Sequence, residues 1–384
     1  MTNRIVLPRI MQTGAGASKE IPQILATLGC NRPLIITDNM MIELGYVRRI
    51  EEVLTSAGIL SDVFSDTVPE PTSASITAGV DRVRAGNFDS IIALGGGSPI
   101  DSAKAIGILG KFGGEMRDYK FPRDVCEEGL PLIAIPTTAG TGSEATRFTI
   151  ITDETCDEKM LCVGLGFMPV AALIDYELTM SVPPRVTADT GIDALTHAIE
   201  AYVSQKANPY SDAQALAAMK LIGPNLRTAF HTPDDRPARE AMMLGSTLAG
   251  IAFSNASVAL VHGMSRPIGA FFHVPHGLSN AMLLPTVTEF SIPAAAERYA
   301  DCARTMGAAC EKDSTETANA KLLDELTALN TELQVPSPEQ FGIDRNAFFE
   351  LMPTMAEQAL ASGSPGNNPR VPTIDELVEL YAKL

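Results

Sequence analysis

Tryptophan is absent from the 384 residues, histidine occurs five times and cysteine six times, and the 29 Lys+Arg are outnumbered by 46 Asp+Glu for a formal charge of −17. Each shortage excludes something. The cysteines (Cys30, Cys126, Cys156, Cys162, Cys302 and Cys310) form no C-x-x-C pair, so neither a disulfide framework nor a thiolate zinc site is expected, and a reducing cytoplasm is the natural setting. So few cations argue against nucleic acid or an anionic membrane as partner, because both are bound by clustered Lys and Arg that release counterions. No uninterrupted apolar run reaches the roughly 18 residues of a membrane-spanning helix. The opening MTNRIVLPRIMQTG lacks a basic region followed by an apolar stretch, so an ordinary signal peptide is not expected. What is present, 45% hydrophobic and 20% charged residues, suffices for a large buried core in two or three domains.

Residues 1–183 alternate short β-branched runs with amphipathic stretches, the pattern of a parallel sheet covered by helices. Strands are expected at 4–12, 33–37, 59–64, 89–94, 130–136 and 171–175, with helices over 43–58 and 71–86. Near-continuous Ile, Leu and Val suits strands buried on both faces. After Pro183-Pro184 the β-branched alternation stops. Residues 184–384 read as an all-helical domain, with Ala/Leu/Met-rich periods over 186–205, 211–226 and 238–264.

Three motifs in the first half suit a nucleotide. In FDSIIALGGGSPIDSAKAIGIL (88–109) a buried strand runs into Gly95, Gly96, Gly97 and Ser98, and Pro99 opens a helix. Residues without Cβ admit an anion close to the backbone, where the free N–H groups of a new helix point at it. A tight turn that needs glycine only for its shape fits the same residues, and the G-x-G-x-x-G fingerprint is missing. Asp38 closes the strand of PLIITDNM, where a carboxylate either accepts the hydroxyls of an adenosine ribose, favouring NAD over NADP, or simply caps the next helix. In LPLIAIPTTAGTGSEAT (130–146), Thr137 and Thr138 lead a hydroxyl- and glycine-rich loop that suits ribose or phosphate, or is a plain polar loop.

The second half carries the sharpest signal. Asp193 and His197, four residues apart on an expected helix, share one face. His262 and His276, each followed by glycine, lie farther on, with His273 between them. One carboxylate and three imidazoles suit Fe(II) or Zn(II), with a coordination position left for substrate.

Together, GGGSPIDSAK, IPTTAGTGSEAT, GIDALTHAIEAY and HGMSRPIGAFFHVPHGLSNAMLLP resemble the iron-dependent (group III) alcohol dehydrogenase family along essentially the whole chain. The resemblance implies a dehydroquinate synthase-like fold: an α/β N-terminal domain with a parallel dinucleotide-binding sheet, an all-α C-terminal domain, and a deep cleft between them. It implies a metal held by Asp193, His197, His262 and His276. NAD would be held by Asp38, Gly95 to Pro99, Asp101, Thr137, Thr138, Lys159 and Leu178. The implied reaction is alcohol oxidation or aldehyde reduction on a small primary alcohol, diol or hydroxy acid. In such a reaction the metal would supply a Lewis acid that lowers the pKa of the alcohol, and the nicotinamide would supply the hydride acceptor at C4. A homodimer or larger homo-oligomer is also implied. Phe148 and Phe253 are expected as apolar pocket walls.

One departure stands out. Many relatives carry another His four residues after the third ligand, and this chain has Arg266 there. Either His273 takes over as proton relay, or Arg266 binds a carboxylate on the substrate. A sugar-cyclising synthase of the same fold, using NAD and a metal, and a non-enzymatic binding protein that kept the fold are the competing readings.

Overall fold

The computed structural model describes residues 2–156 and 158–384. The chain divides into two compact units, Val6–Ser181, and Val182–Leu384 together with the segment ending at Ile5.

The strands of the first unit are β1 (Ile10–Thr13), β2 (Pro33–Ile36), β3 (Asp62–Phe64), β4 (Ser90–Gly95), β5 (Leu132–Pro136), β6 (Phe148–Asp153), β7 (Glu158–Val163) and β8 (Ala171–Ile174). Six of them form a parallel sheet in the order β1-β8-β5-β4-β2-β3. Strand periodicity sends neighbouring side chains to opposite faces. Leu34, Ile36, Ile91 and Ala93 pack on one face with Ile76, Val80 and Ile106 from the helices Ser73–Gly86 and Gly97–Phe112. Ile35, Ile92, Leu94 and Ile133 pack on the other with Ile24, Ile50 and Leu54 from the helices Ile21–Leu28 and Tyr46–Ser56. In register, Ile35 lies beside Ile92 and Ile92 beside Ile133, all fully buried. Each such side chain contributes about 2 kcal/mol of burial. Both faces are covered, which is why the strands read as continuous apolar runs.

Two local expectations need correction. The first strand starts at Ile10, not residue 4, because Pro8 lacks the N–H a ladder needs. An antiparallel hairpin, β6 with β7, lies where no strand was expected. Its alternating buried and half-buried side chains place it over the helix Gly97–Phe112.

In the second unit the named elements are helical among the described residues. The helix Pro184–Val203 is buried on every side from Gly191 to Val203, so it is the axis of this unit, with the helices Pro209–His231, Arg236–Ala256 and His276–Ser291 packed around it. The apolar stretch 238–264 is two helices, Arg236–Ala256 and Leu260–Phe272, bent by 103°. Ser257, at φ 75°, takes a left-handed conformation that no right-handed helix can continue. Among the described residues no single helix is long and apolar enough to cross a membrane.

Candidate functional site

The second unit gathers Asp193, His197, His262 and His276 so that one ligand atom of each lies within 4.8 Å of all the others. Asp193 Oδ1 is the hub: His262 Nε2 stands 3.5 Å away, His276 Nε2 3.8 Å and His197 Nε2 3.9 Å. Asp193 and His197 come from one face of the axial helix, His262 from the first turn of Leu260–Phe272, and His276 from the first residue of the next helix. The bend between the two helices falls at Ser257, five residues before His262. The glycine after His276 is required by close approach, since a Cβ on Gly277 would stand 2.4 Å from the Asp189 carbonyl oxygen of the axial helix.

Further contacts fix these four side chains. Glu200, buried one and two turns beyond His197 and Asp193 on the same helix, has Oε2 2.6 Å from His262 Nδ1. It also accepts the backbone N–H groups of Ala259 (2.9 Å) and Val261 (2.6 Å). Thus a carboxylate from another helix caps Leu260–Phe272, whose own N-cap residue, Ala259, offers no side-chain acceptor. Bonding at Nδ1 leaves Nε2 to face Asp193. Burial opposes charge on His262, but Glu200 and Asp193 hold its proton and raise it to about 9. Burial likewise pushes Asp193 up, and the facing imidazoles outweigh it, holding that carboxyl well below its usual range. Phe253 stacks on His197, centroids 4.3 Å apart and planes at 19°.

Asn280 Nδ2 donates to Asp193 Oδ1 (2.7 Å) and lies 3.2 Å from Nε2 of both His262 and His276. Its own Oδ1 is buried without a hydrogen-bond partner. Three imidazole nitrogens and a carboxylate oxygen thus converge on a point where positive charge is wanted, and the donor set fits a borderline divalent ion. Glu200 and Asn280 were not singled out in the sequence, although each sits at helical spacing from a ligand, three residues after His197 and four after His276.

In the first unit, β2 and β4 are neighbours, and the chain leaves them toward opposite edges of the sheet. That is a topological switch point, where open α/β sheets bind ligands at the strands' carboxyl ends. Asp38 follows β2 and Gly95 to Pro99 follow β4, so the two motifs are adjacent in space although far apart in sequence. Thr37 Oγ1 ties the two ends together by donating to the Leu94 carbonyl (2.8 Å). The Asp38 side chain accepts from the Met41 N–H (3.0 Å), so it caps the short helix Asn39–Glu43. The helix Gly97–Phe112 starts with no side-chain cap, leaving its first N–H groups to a ligand. The Thr137–Thr141 loop packs on the glycines, and a Cβ on Gly97 would come within 2.8 Å of Thr141 Cγ2. Thr137 donates its N–H to the Gly95 carbonyl (3.0 Å).

Lys159 also reaches this corner. Its Nζ pairs with Glu70 (2.7 Å), whose N–H donates to Ser98 Oγ (3.3 Å). Asp101 has both carboxylate oxygens engaged, by Ser143 Oγ (2.6 Å) and the Ile150 N–H (3.0 Å), and burial raises its pKa. Beside it the buried Lys104, lowered to about 8 by burial, donates to Ser143, Thr146 and the Phe148 carbonyl, tying loop, helix and hairpin together. Leu178 is buried in the core against the sheet. Phe148 opens β6 in this unit, while Phe253 belongs to the helical unit. His273 is exposed and closes Leu260–Phe272 at φ 54°; it is not one of the four converging residues. His231 pairs with Glu332 (2.8 Å).

Family models match both parts of the chain, the iron-containing alcohol dehydrogenase model over residues 8–176 and the C-terminal model of the Fe-containing alcohol dehydrogenase family over residues 187–384. Lactaldehyde reductase of Escherichia coli (strain K12) is 36% identical over 99% of each chain. The crystal structure of a 1,3-propanediol oxidoreductase superposes with a TM-score of 0.96 at 34% identity, covering all of both chains. Sulfoacetaldehyde reductase from Bifidobacterium kashiwanohense, solved in complex with NAD+, gives 0.90 at 29% identity over 100% of this chain and 99% of that one. Relatives that are dehydrogenases and reductases favour neither the sugar-cyclising nor the non-enzymatic reading. With a quartet of residues able to hold a metal ion on the helical unit and its glycine loop on a parallel sheet, the chain belongs to the iron-containing alcohol dehydrogenase family and is an oxidoreductase of that kind.

Proposed function

We propose that this alcohol dehydrogenase interconverts a small primary alcohol, diol or hydroxy acid with its aldehyde, using NAD(H) and one Fe(II) or Zn(II) held by Asp193, His197, His262 and His276. The observation that carries the reading is the convergence of three imidazole nitrogens on a single buried carboxylate oxygen. When bound, the ion supplies a Lewis acid that polarises the C–O group, and the nicotinamide supplies the hydride acceptor or donor. The protein's own contribution is placement. Glu200 fixes the His262 ring and leaves Nε2 free to ligate, Asn280 braces Asp193, and Phe253 holds the His197 ring while presenting an apolar wall that keeps water from the reacting carbon.

Asp38 and Gly95, Gly96, Gly97, Ser98 and Pro99, adjacent at the switch point, support NAD as the dinucleotide. Backbone amides at a helix N-terminus accommodate a pyrophosphate without a cationic patch, which suits a chain of charge −17. The Asp38 carboxylate suits a ribose diol and repels a 2′-phosphate. Thr137, Thr138, Lys159, Leu178 and Asp101 complete the cofactor residues of this reading. His273 as proton relay and Phe148 as a second apolar wall belong to it as well. A homodimer or larger homo-oligomer follows from the family resemblance, and six free cysteines suit the cytoplasm.

The test is a panel of short alcohols, diols, hydroxy acids and aldehydes with NAD(H) and NADP(H), on protein reconstituted with Fe(II) or Zn(II). Turnover of at least one class, faster with NAD(H), is expected. Failure of every class with either cofactor contradicts the reading.

A further inference from the structure

Arg266 lies four residues after His262 on the helix Leu260–Phe272, so the two side chains leave one helix face. It is partly buried, and among the described residues its guanidinium makes no hydrogen bond or ion pair. Burial disfavours its charge, and the Glu200 carboxylate opposes that. Glu200, however, is already taken: Oε1 accepts from Val261 and Oε2 from Ala259 and His262 Nδ1. Among the described residues Arg266 is therefore left without a partner one helical turn beyond His262.

A guanidinium carries five donors in a planar fork, and withdrawing it from water without acceptors is costly. The groups that satisfy such a fork are oxyanions with two oxygens side by side, carboxylate or sulfonate. Distance limits what brings one there. Four residues of helix rise about 6 Å, so a molecule with its C–O group at the His262 Nε2 end and its anion at Arg266 has a short carbon chain.

We propose that Arg266 is the anion-recognising residue of the substrate site, and that the substrate is a short-chain aldehyde, or the matching alcohol, bearing a carboxylate or sulfonate at its far end. The proposal rests on the metal- and NAD(H)-dependent dehydrogenase reading. A guanidinium stays charged across the working pH range, so it can select among aldehydes by the charge at their far end.

The experiment compares kcat/KM of the metal-loaded enzyme with NADH for aldehydes matched in length: 4-oxobutanoate, 3-oxopropanesulfonate and butanal. The wild type is expected to favour at least one anionic aldehyde over butanal by about a hundredfold, mainly through KM; which of the two gains more tells carboxylate from sulfonate. Arg266→Ala is expected to bring that ratio to within a few-fold of one, and Arg266→Lys to leave it in between. Titration calorimetry with 4-hydroxybutanoate and 3-hydroxypropanesulfonate provides a readout without turnover, with binding of the preferred anion weakened in Arg266→Ala and melting temperature preserved. A wild type that treats all three aldehydes alike, a preference that survives in Arg266→Ala, or a variant whose defect lies in KM for NADH overturns the proposal while leaving the dehydrogenase reading intact. Absence of turnover on any aldehyde, these three and the wider panel alike, overturns that reading and this inference with it.

Discussion

Glu200 Oε2 lies 2.6 Å from His262 Nδ1, and the same carboxylate accepts the N–H groups of Ala259 and Val261 that open the helix carrying that histidine. One side chain therefore sets both the start of the helix and the tautomer of the ligand on it. Glu200→Gln keeps the shape but can no longer hold a fixed Nδ1 proton with full charge. Metal affinity is expected to fall by about 10- to 100-fold, read as metal content after dialysis against a graded chelator. Glu200→Ala is expected to lower the melting temperature as well, because it leaves buried N–H groups without an acceptor. Unchanged metal content in Glu200→Gln contradicts this role.

Metal affinity is expected to depend on pH in a defined window. His262 is raised from its ordinary value to about 9, so in the metal-free protein it is protonated at neutral pH and binding must displace that proton. Affinity should rise with pH by up to about tenfold per unit and level off near pH 9. Asp193, held low, stays ionised throughout and adds no slope. The same shift stabilises the metal-free fold: that contribution is full below about pH 6.5 and is lost as pH rises through about 9. Competition titrations at pH 6, 7, 8 and 9 read the slope, and a flat response above pH 7 contradicts it.

Asp38→Asn separates cofactor choice from folding. Asparagine caps a helix as well as aspartate does, so the bond to the Met41 N–H can persist and the melting temperature should hold. Removing the charge removes the repulsion of a 2′-phosphate. The ratio of kcat/KM for NADPH to that for NADH is expected to rise by about tenfold. An unaltered ratio means that Asp38 acts as a helix cap alone.

The sheet was legible because its strands are short apolar runs that end in glycine, proline or aspartate, and because burial on both faces leaves no polar alternation to blur them. Asp38 and the glycine loop were legible as motifs, but their adjacency was not, since it depends on the crossover that places β4 beside β2 rather than beyond β3. The hairpin β6–β7 escaped notice because Thr149 and Thr152 break its apolar pattern. The candidate metal ligands stood out through rarity, three of them among only five histidines and two of the four forming one helical D-x-x-x-H pair. Their supports did not, because a glutamate in an Ala-rich helix looks like a solvated charge until the fold buries it. The bend at Ser257 was hidden for a related reason: the apolar period runs on through 238–264, and the left-handed residue that breaks it is a serine rather than a glycine.

The central claim is that one metal ion in the Asp193, His197, His262 and His276 quartet is required for NAD(H)-linked alcohol chemistry. The most direct test strips the protein with a chelator, assays NADH-dependent aldehyde reduction, and then adds back Fe(II) or Zn(II) in steps while measuring bound metal. The account predicts activity at background when stripped, restored in proportion to metal and saturating at one ion per chain, with Asp193→Ala and His262→Ala failing to bind or to recover and remaining about a thousandfold or more below wild type. Full turnover in the stripped protein, or in either variant, would contradict it.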